Sequence, residues 1–374
     1  MDSTRPISVA FIGARGVIGT YSGIETYYEE VGSRLAAKGH RVTAYCRKHF
    51  TPDVREHRGI AVRRLPSLAT KHGETISHSI LSTLDALFRG YDIVQFHAIG
   101  SAPLALLPRL FGTKTVVSVR GLDWQRAKWG FVARKALQFG ELASARCPTA
   151  TAVVSETLRD HYRKRHGRTP TVIQNAVLRA EPRPADKLFD YGLEPGKFIL
   201  FAGRISPEKQ VDRLIEAAKP LLGDVKLAIA GGSSYSDDYI AKVRELADDN
   251  VVFLGQVDHE TVYELYCNCL TFVLPSVMEG LSIALLEAVS FGTCIVTTDI
   301  PENREVVGDA GLYFDVGSTE ELRERLSQLI ENPSLAESLR SAARERAALQ
   351  LDWDDVAELT EAFYRKLLGR EVTA

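Results

Sequence analysis

No apolar stretch in the chain is long enough to cross a bilayer: runs such as Ala102 to Leu107 fall far short of the ~20 residues a spanning helix needs. Cysteine is scarce, with five residues (Cys46, Cys147, Cys267, Cys269 and Cys294) in 374. The count is odd and there is no C-x-x-C and no Cys/His metal spacing, which argues against a disulfide framework or a zinc module and fits a reducing cytosol. Cys267 and Cys269 stand two apart and would not share a helix face. Low-complexity tracts and short repeats are absent, which excludes solenoids. The opening MDSTRPISVAFIGARG lacks the long apolar centre of a secretory signal and runs straight into a glycine-rich loop. A cytoplasmic protein, soluble or peripheral at the inner face of the membrane, is expected.

What is present is a charge split. Residues 1–180 carry 27 Lys and Arg against 13 Asp and Glu, and the remainder carries 19 against 35. The overall charge of -2 therefore conceals a basic half and an acidic half. A basic half suits an anionic partner such as phosphate or a lipid surface. Nucleic acid is not expected, because no recognised binding motif accompanies the charge.

Hydrophobic patterning gives two α/β domains. ISVAFI (7–12) reads as a buried parallel strand ending at Gly13, followed by a glycine-rich loop, a helix from Ile24 to Lys38 stopped by Gly39, and the strand HRVTAYC (40–46). This is a βαβ unit. Strands at 60–65, 92–97, 114–119 and 151–155 continue it, separated by helical segments. A Pro- and charge-rich stretch from Arg179 to Pro195 separates a second series: strands at 197–203, 225–231, 250–255, 270–275 and 294–298, with a helix from about Val211 to Leu222. A last helix, about Trp353 to Leu368, could pack back across the hinge. The expected division is 1–185, 186–352 and a C-terminal helix over 353–374.

Open parallel sheets bind ligands beyond the carboxyl ends of their strands, so residues just after strands carry most of the information. Gly13-Ala-Arg-Gly16-Val-Ile-Gly19-Thr-Tyr-Ser-Gly23 offers close backbone approach and a helix start, or is simply a long turn. Arg15 stands where a dinucleotide fingerprint needs glycine, and the next strand ends in Arg47-Lys48 rather than an acid, so NAD is not expected. Gly203-Arg204-Ile-Ser-Pro-Glu208-Lys209 places a planar and a point-like cation where they could clamp a diphosphate. In Pro275-Ser-Val-Met-Glu279-Gly280-Leu281-Ser282, leading into IALLEAV, Glu279 comes after a strand and Gly280 and Ser282 suit a helix start whose free backbone N–H groups can hold a phosphate. Glu279 and Glu287, eight residues apart, are expected on one face of a helix and about 12 Å apart. Glu287 lies in an apolar run, where a carboxylate needs a partner. His97 ends a strand and could reach a reacting sugar, or be a satisfied buried histidine. Arg120, Asp123 and Trp124 follow another strand. With Arg126, Lys128, Trp129, Phe131, Arg134 and Lys135 they mix aromatic and basic residues as a membrane-facing or acceptor-binding segment would, or as a core-packed helix would. HYRKRHGR (161–168) reads as a solvated basic face.

Taken together, Gly203-Arg-Ile-Ser-Pro-Glu-Lys209 and Glu279-x7-Glu287 in a chain of two Rossmann-like halves resemble the family-4 retaining glycosyltransferases of GT-B fold, over nearly the whole chain. GARGVIGTYSGIETYYEEV and RGLDWQRAKWG resemble the bacterial rhamnosyltransferase-like subgroup. The resemblance implies two Rossmann-like domains facing across a cleft and metal-independent transfer of a hexosyl group, rhamnosyl among the candidates. The donor would be a nucleotide sugar, with no other cofactor. The acceptor would be a glycan or lipid-diphosphate saccharide of cell-surface polysaccharide synthesis.

It also assigns residues. Arg204 and Lys209 would hold the diphosphate with Gly203, Glu279 the transferred sugar and Glu287 the ribose. Backbone at Gly280, Leu281 and Ser282 would meet phosphate and sugar, and the base would lie near Gly255 to Val257. Gly16, Gly19 and Gly23 would close over the donor, and His97 would stand near the sugar. Asn175-Ala176 and Gly231-Gly-Ser-Ser depart from the family's Asn-Gly and Gly-Asp-Gly. A nucleotide-sugar epimerase of the same fold and an inactive nucleotide-sugar-binding partner are the competing readings.

Overall fold

The computed structural model describes residues 5–18, 23–68, 70, 73–126, 129–177, 180–232 and 237–370. Contacts divide the chain into two compact units, residues 1–175 with 351–374, and residues 176–350.

Unit 1 contains β1 (Ser8–Ile12), α1 (Gly23–Ala37), β2 (Arg41–Arg47), β3 (Glu56–His57), β4 (Ile60–Leu65), α2 (Glu74–Leu87), β5 (Ile93–His97), α3 (Leu106–Leu110), β6 (Lys114–Val119), α4 (Phe131–Arg146), β7 (Ala150–Val153), α5 (Glu156–His166) and β8 (Thr171–Val172). Its sheet runs β3-β4-β2-β1-β5-β6-β7-β8, parallel except for the short β3 against β4. The expected helix between β2 and β4 is not there. Arg58 and Gly59, both at positive φ, turn β3 back onto β4 instead. β1 and β5 are buried at every position, as parallel strands covered on both faces must be.

Unit 2 contains β9 (Phe198–Ala202), α6 (Val211–Ala218), β10 (Lys226–Ala230), α7 (Asp237–Leu246), β11 (Val251–Gly255), α8 (His259–Asn268), β12 (Thr271–Leu274), α9 (Ile283–Ser290), β13 (Ile295–Thr298), α10 (Pro301–Val307), β14 (Gly311–Phe314), α11 (Thr319–Glu331) and α12 (Pro333–Ala347). Its parallel sheet runs β11-β10-β9-β12-β13-β14. FILFA of β9 and TFVL of β12 are wholly buried. Each such Leu, Ile or Phe contributes roughly 1.5–3 kcal/mol of burial.

The division falls at 175/176, ahead of the boundary placed at 185/186. Asn175 stays with unit 1 because its side chain accepts a hydrogen bond from Arg120. Past it, the Pro-rich stretch is tied to α8: Arg183 N donates to Cys267 Sγ at 3.4 Å and Leu188 N to Glu264 Oε1 at 2.9 Å. The last helix, α13 (Trp353–Leu367), begins with an Asp352–Asp355 capping box and packs on α1 in unit 1. Trp353, Val356, Ala357, Thr360, Phe363 and Tyr364 form its buried face.

Candidate functional site

In unit 2 the strand order reverses at β9: the chain moves outward through β10 and β11, then returns to lay β12 on the other side. Such a switch point leaves the loops after β9 and β12 to diverge around a crevice. Both candidate motifs occupy these loops. Gly203 to Gln210 follows β9 and Pro275 to Ser282 follows β12. They are joined twice. Val277 N donates to the Glu208 carbonyl at 3.0 Å, and Lys209 Nζ pairs with Glu279 Oε1 at 2.5 Å. Ser206 Oγ and Ser276 Oγ, one on each loop and both buried, have no hydrogen-bond partner among the described residues.

The neighbouring loops are bound just as closely. Gly203 N donates to the Ala230 carbonyl, Ile205 N to the Gly232 carbonyl and Gly231 N to the Gly255 carbonyl, at 2.9, 3.0 and 2.7 Å. Gly231 has φ +143, and a Cβ there would stand 1.8 Å from the Gly203 carbonyl oxygen, so only glycine fits. Val257 lies two residues beyond β11, on the side of β10 away from β9.

Ser282 caps α9 by accepting from Leu285 N at 3.4 Å. Glu279 therefore stands in the loop ahead of the helix, not on it. The expectation that Glu279 and Glu287 share one helical face is corrected, because the Ser282 cap starts the helix only at Ile283. Glu287 lies within α9, half-buried, and Tyr266 Oη donates to its Oε2 at 3.4 Å. Burial raises its carboxyl to about 7, with the Tyr266 hydrogen bond lowering it only in part. A pair of hydroxyl donors would suit such a carboxylate. Together these groups offer two cationic side chains, a capped helix start and two carboxylates around one switch point.

In unit 1 the switch point lies between β1 and β5. A Cβ at Gly13, φ +126, would stand 2.6 Å from the His97 carbonyl oxygen. Gly16 is buried against Thr51, Gly23 opens α1, and Gly19 lies outside the described residues. Arg15 N donates to Glu25 Oε1 at 2.9 Å, fastening the loop to α1. His97 is 1% exposed and ringed by Phe11, Tyr27 and Tyr28. Burial, then Arg120, holds its imidazole well below the usual pKa, so it is neutral. Its Nε2 meets Gln95 Nε2 at 3.0 Å, while Nδ1 is buried with no partner among the described residues. Ala98, directly after it, holds φ 69, a conformation costing a non-glycine residue on the order of 1–3 kcal/mol.

Arg120 lies 4.1 Å over the Tyr27 ring, donates to Ser118 and Asn175, and leaves Nη2 buried and unpartnered among the described residues. Burial lowers its guanidinium to about 10. Asp123 pairs with Arg126 at 3.1 Å, Trp129 is half-buried, and Lys128 lies outside the described residues. Trp124 points inward, its Nε1 donating to Glu141 Oε2 at 2.7 Å.

Two arrangements escaped the sequence reading. Tyr364 of α13 donates to Gln95 Oε1 at 2.6 Å, so the last helix reaches the residue that meets His97. The segment HYRKRHGR is not simply a solvated face. Arg163, Lys164 and Arg165 are exposed, but His161 and His166 turn inward onto Glu141. Burial pushes the Glu141 carboxyl up, yet hydrogen bonds from His161, His166 and Trp124 outweigh it and hold the group at about 2. The only sequence signal was a pair of histidines five apart, masked by four basic neighbours.

Comparison with known proteins places this geometry. Residues 186–346 match the family "Glycosyl transferases group 1" and residues 22–176 the "Glycosyl transferase 4-like domain". Sucrose-phosphate synthase from Thermosynechococcus elongatus superposes with TM-score 0.85 at 21% identity, over 98% of this chain and 100% of that one. HepE of Anabaena, solved with UDP-glucose, gives 0.78 at 16% identity over 96% and 99%. These likenesses define the fold as GT-B, with two Rossmann-like parallel-sheet units. The chain belongs to the glycosyltransferases. Alpha-maltose-1-phosphate synthase of Mycobacterium tuberculosis is 30% identical over 201 residues, 50% of this chain. That match spans about half of the relative's length, 52%.

Proposed function

We propose that the chain transfers a hexosyl group, rhamnosyl among the candidates, from a nucleoside diphosphate sugar to a glycan or lipid-diphosphate saccharide, with retention of anomeric configuration. The observation that carries this reading is the joining of the β9 and β12 loops at the unit 2 switch point by Lys209 and Glu279. Arg204 and Lys209 take the diphosphate together with N–H groups at the start of α9, as helix N-termini favour anions. Gly203 and the backbone of Gly280, Leu281 and Ser282 let the phosphate and sugar approach closely. Glu279 addresses sugar hydroxyls, Glu287 the ribose, and Val257 the base. The UDP-glucose bound by HepE supports a nucleotide sugar as donor.

Departure of the nucleoside diphosphate places negative charge on its oxygens. Fixed cations and helix N–H groups stabilise that charge without a metal. Retention follows if the acceptor oxygen attacks on the face from which the phosphate leaves, with the leaving phosphate taking the acceptor's proton. In unit 1, the unpartnered Arg120 Nη2 and His97 Nδ1 suit a polar substrate group. Gly16 and Gly23, on the loop that follows β1 and at the start of α1, allow close backbone approach of a substrate, and Asp123 and Trp129 serve the acceptor. A peripheral contact with anionic lipid is part of this proposal. It is supported by the basic charge of residues 1–180 and by exposed apolar side chains at Ile76, Ile80, Leu84 and Phe88 on and just after α2, and at Phe131 and Val132 on α4. Among the described residues no helix is long and apolar enough to cross a membrane.

The test is a thermal-shift panel of UDP, GDP, dTDP and ADP sugars, followed by turnover of the sugar that binds. A nucleotide sugar should raise Tm in the wild type, less in Lys209→Ala and Glu287→Ala, and should be consumed only when a glycan or lipid-diphosphate saccharide is supplied. Equal binding by wild type and both variants would overturn the site. Formation of an epimer or free sugar without acceptor would overturn the transfer reading. Sedimentation with vesicles containing anionic lipid, compared for wild type and Phe131→Ser with Val132→Ser, tests the membrane contact.

A further inference from the structure

Helices α4 and α5 bring together three side chains that the glycosyl-transfer reading does not use. Glu141 lies near the middle of α4, with its side chain 1% exposed. His161 and His166 come from α5, their side chains 27% and 7% exposed. Both imidazoles aim Nε2 at the same carboxylate oxygen, Glu141 Oε1, at 2.8 and 2.7 Å. The three ligand atoms lie within 4.8 Å of one another. Tetrahedral zinc holds nitrogen and oxygen donors at about 2.0–2.2 Å, which sets them on the order of 3.3 Å apart. Lengthening the His–Glu distances by about half an ångström, with the two imidazole nitrogens settling at the same separation from each other, would admit the ion.

We propose that Glu141, His161 and His166 form a binding site for a divalent transition metal, with zinc the best match to two imidazoles and one carboxylate. Water completes the tetrahedron from the side of His161, the most exposed of the three. Arg165 also approaches Glu141 Oε1, at 3.3 Å, but its side chain is 50% exposed and swings into solvent when the ion enters. Trp124 supplies the outer support. Its Nε1 donates to Glu141 Oε2, fixing the direction in which the carboxylate's other oxygen faces the ion. A bound ion would thus fasten α4 to α5 and hold the loop after β6. It takes no part in the donor chemistry proposed for unit 2.

The alternative is a buried carboxylate satisfied by two imidazole donors and no metal. Glutamine separates the two. Its amide donates a hydrogen bond to Glu141 as a neutral imidazole does, but it is a poor zinc ligand. Full-length protein is stripped with a chelator, and Zn2+ is titrated in competition with a chromophoric chelator. One equivalent should bind with submicromolar affinity, and Co2+ in its place should give the visible absorption of a tetrahedral site. His161→Gln and His166→Gln should each weaken Zn2+ binding by roughly 100-fold or more, beyond the usual effect of losing an outer-shell partner. Both should keep the metal-free Tm of the wild type. Zn2+ should also change tryptophan fluorescence in the wild type and leave it unchanged in Trp124→Phe. Absence of submicromolar Zn2+ binding by the wild type overturns the proposal, as does equal binding by both glutamine variants. Should one variant fail to fold, the other and the wild-type Co2+ spectrum still decide.

Discussion

Lys209 Nζ and Glu279 Oε1 meet at 2.5 Å across 70 residues of sequence, joining the loops after two adjacent parallel strands. Both side chains are mostly shielded, at 13% and 12% exposure. Lys209→Ala should therefore cost about 1–2 kcal/mol of stability by leaving Glu279 without this cation. It should lower kcat/KM by about 10²–10³, the usual effect of removing a group that stabilises developing charge. Glu279→Gln should lower kcat with little change in nucleotide affinity. Urea unfolding and steady-state kinetics on the same preparations check both.

Glu287 gives a pH signature. Its carboxyl titrates near 4.5 when unfolded and at about 7 in the fold. Folding favours the neutral form, so this group's contribution is complete below about pH 4.5 and is lost as pH rises through 7, by up to about 3 kcal/mol. Urea unfolding at pH 5 and pH 8 should show the decline, and Glu287→Gln should flatten it. Ribose hydroxyls favour the ionised acceptor. Nucleotide affinity should therefore rise with pH through 7 in the wild type and be level in Glu287→Gln, as calorimetric titration would show.

Two adjacent glycines should respond in opposite ways. Gly231→Ala places a methyl 1.8 Å from the Gly203 carbonyl at φ +143, and should cost more than about 3 kcal/mol and abolish nucleotide binding. At Gly232 the nearest atom to an added Cβ is Gln256 Oε1 at 4.0 Å, so Gly232→Ala should change stability by less than about 1 kcal/mol. Thermal melts with and without nucleotide distinguish them.

Tyr364 offers a test within unit 1. Tyr364→Phe removes the donor to Gln95 Oε1, and should cost about 1–2 kcal/mol by leaving a buried amide oxygen unpaired. Tyr364→Ala should cost about 3–5 kcal/mol, since the ring is 1% exposed. Chemical denaturation followed by tryptophan fluorescence measures both.

The sheets were legible because runs such as FILFA and SVAFI end at glycine, as buried parallel strands entering a ligand loop do. The helix start at Gly280 to Ser282 was legible as well, but the eight-residue spacing of Glu279 and Glu287 was not a helical one, since Glu279 precedes the Ser282 cap and helical rise does not apply to it. β3 is two residues long and carries no periodicity to read. The inward turn of His161 and His166 depends on Glu141, 20 and 25 residues away, and such partnerships leave no local trace. The union of α13 with α1 is likewise a matter of tertiary packing, as Tyr27 Oη with Thr360 Oγ1 at 3.2 Å illustrates.

Because residues 351–370 complete unit 1, the order of synthesis differs from the order of assembly. All of unit 2 precedes residue 351 in the chain, whereas α1 needs Trp353, Phe363 and Tyr364 of the last helix to cover its apolar face. The first unit begun is thus the last to be completed, and a stop codon at residue 351 would release a chain with unit 2 whole and the core of unit 1 uncapped.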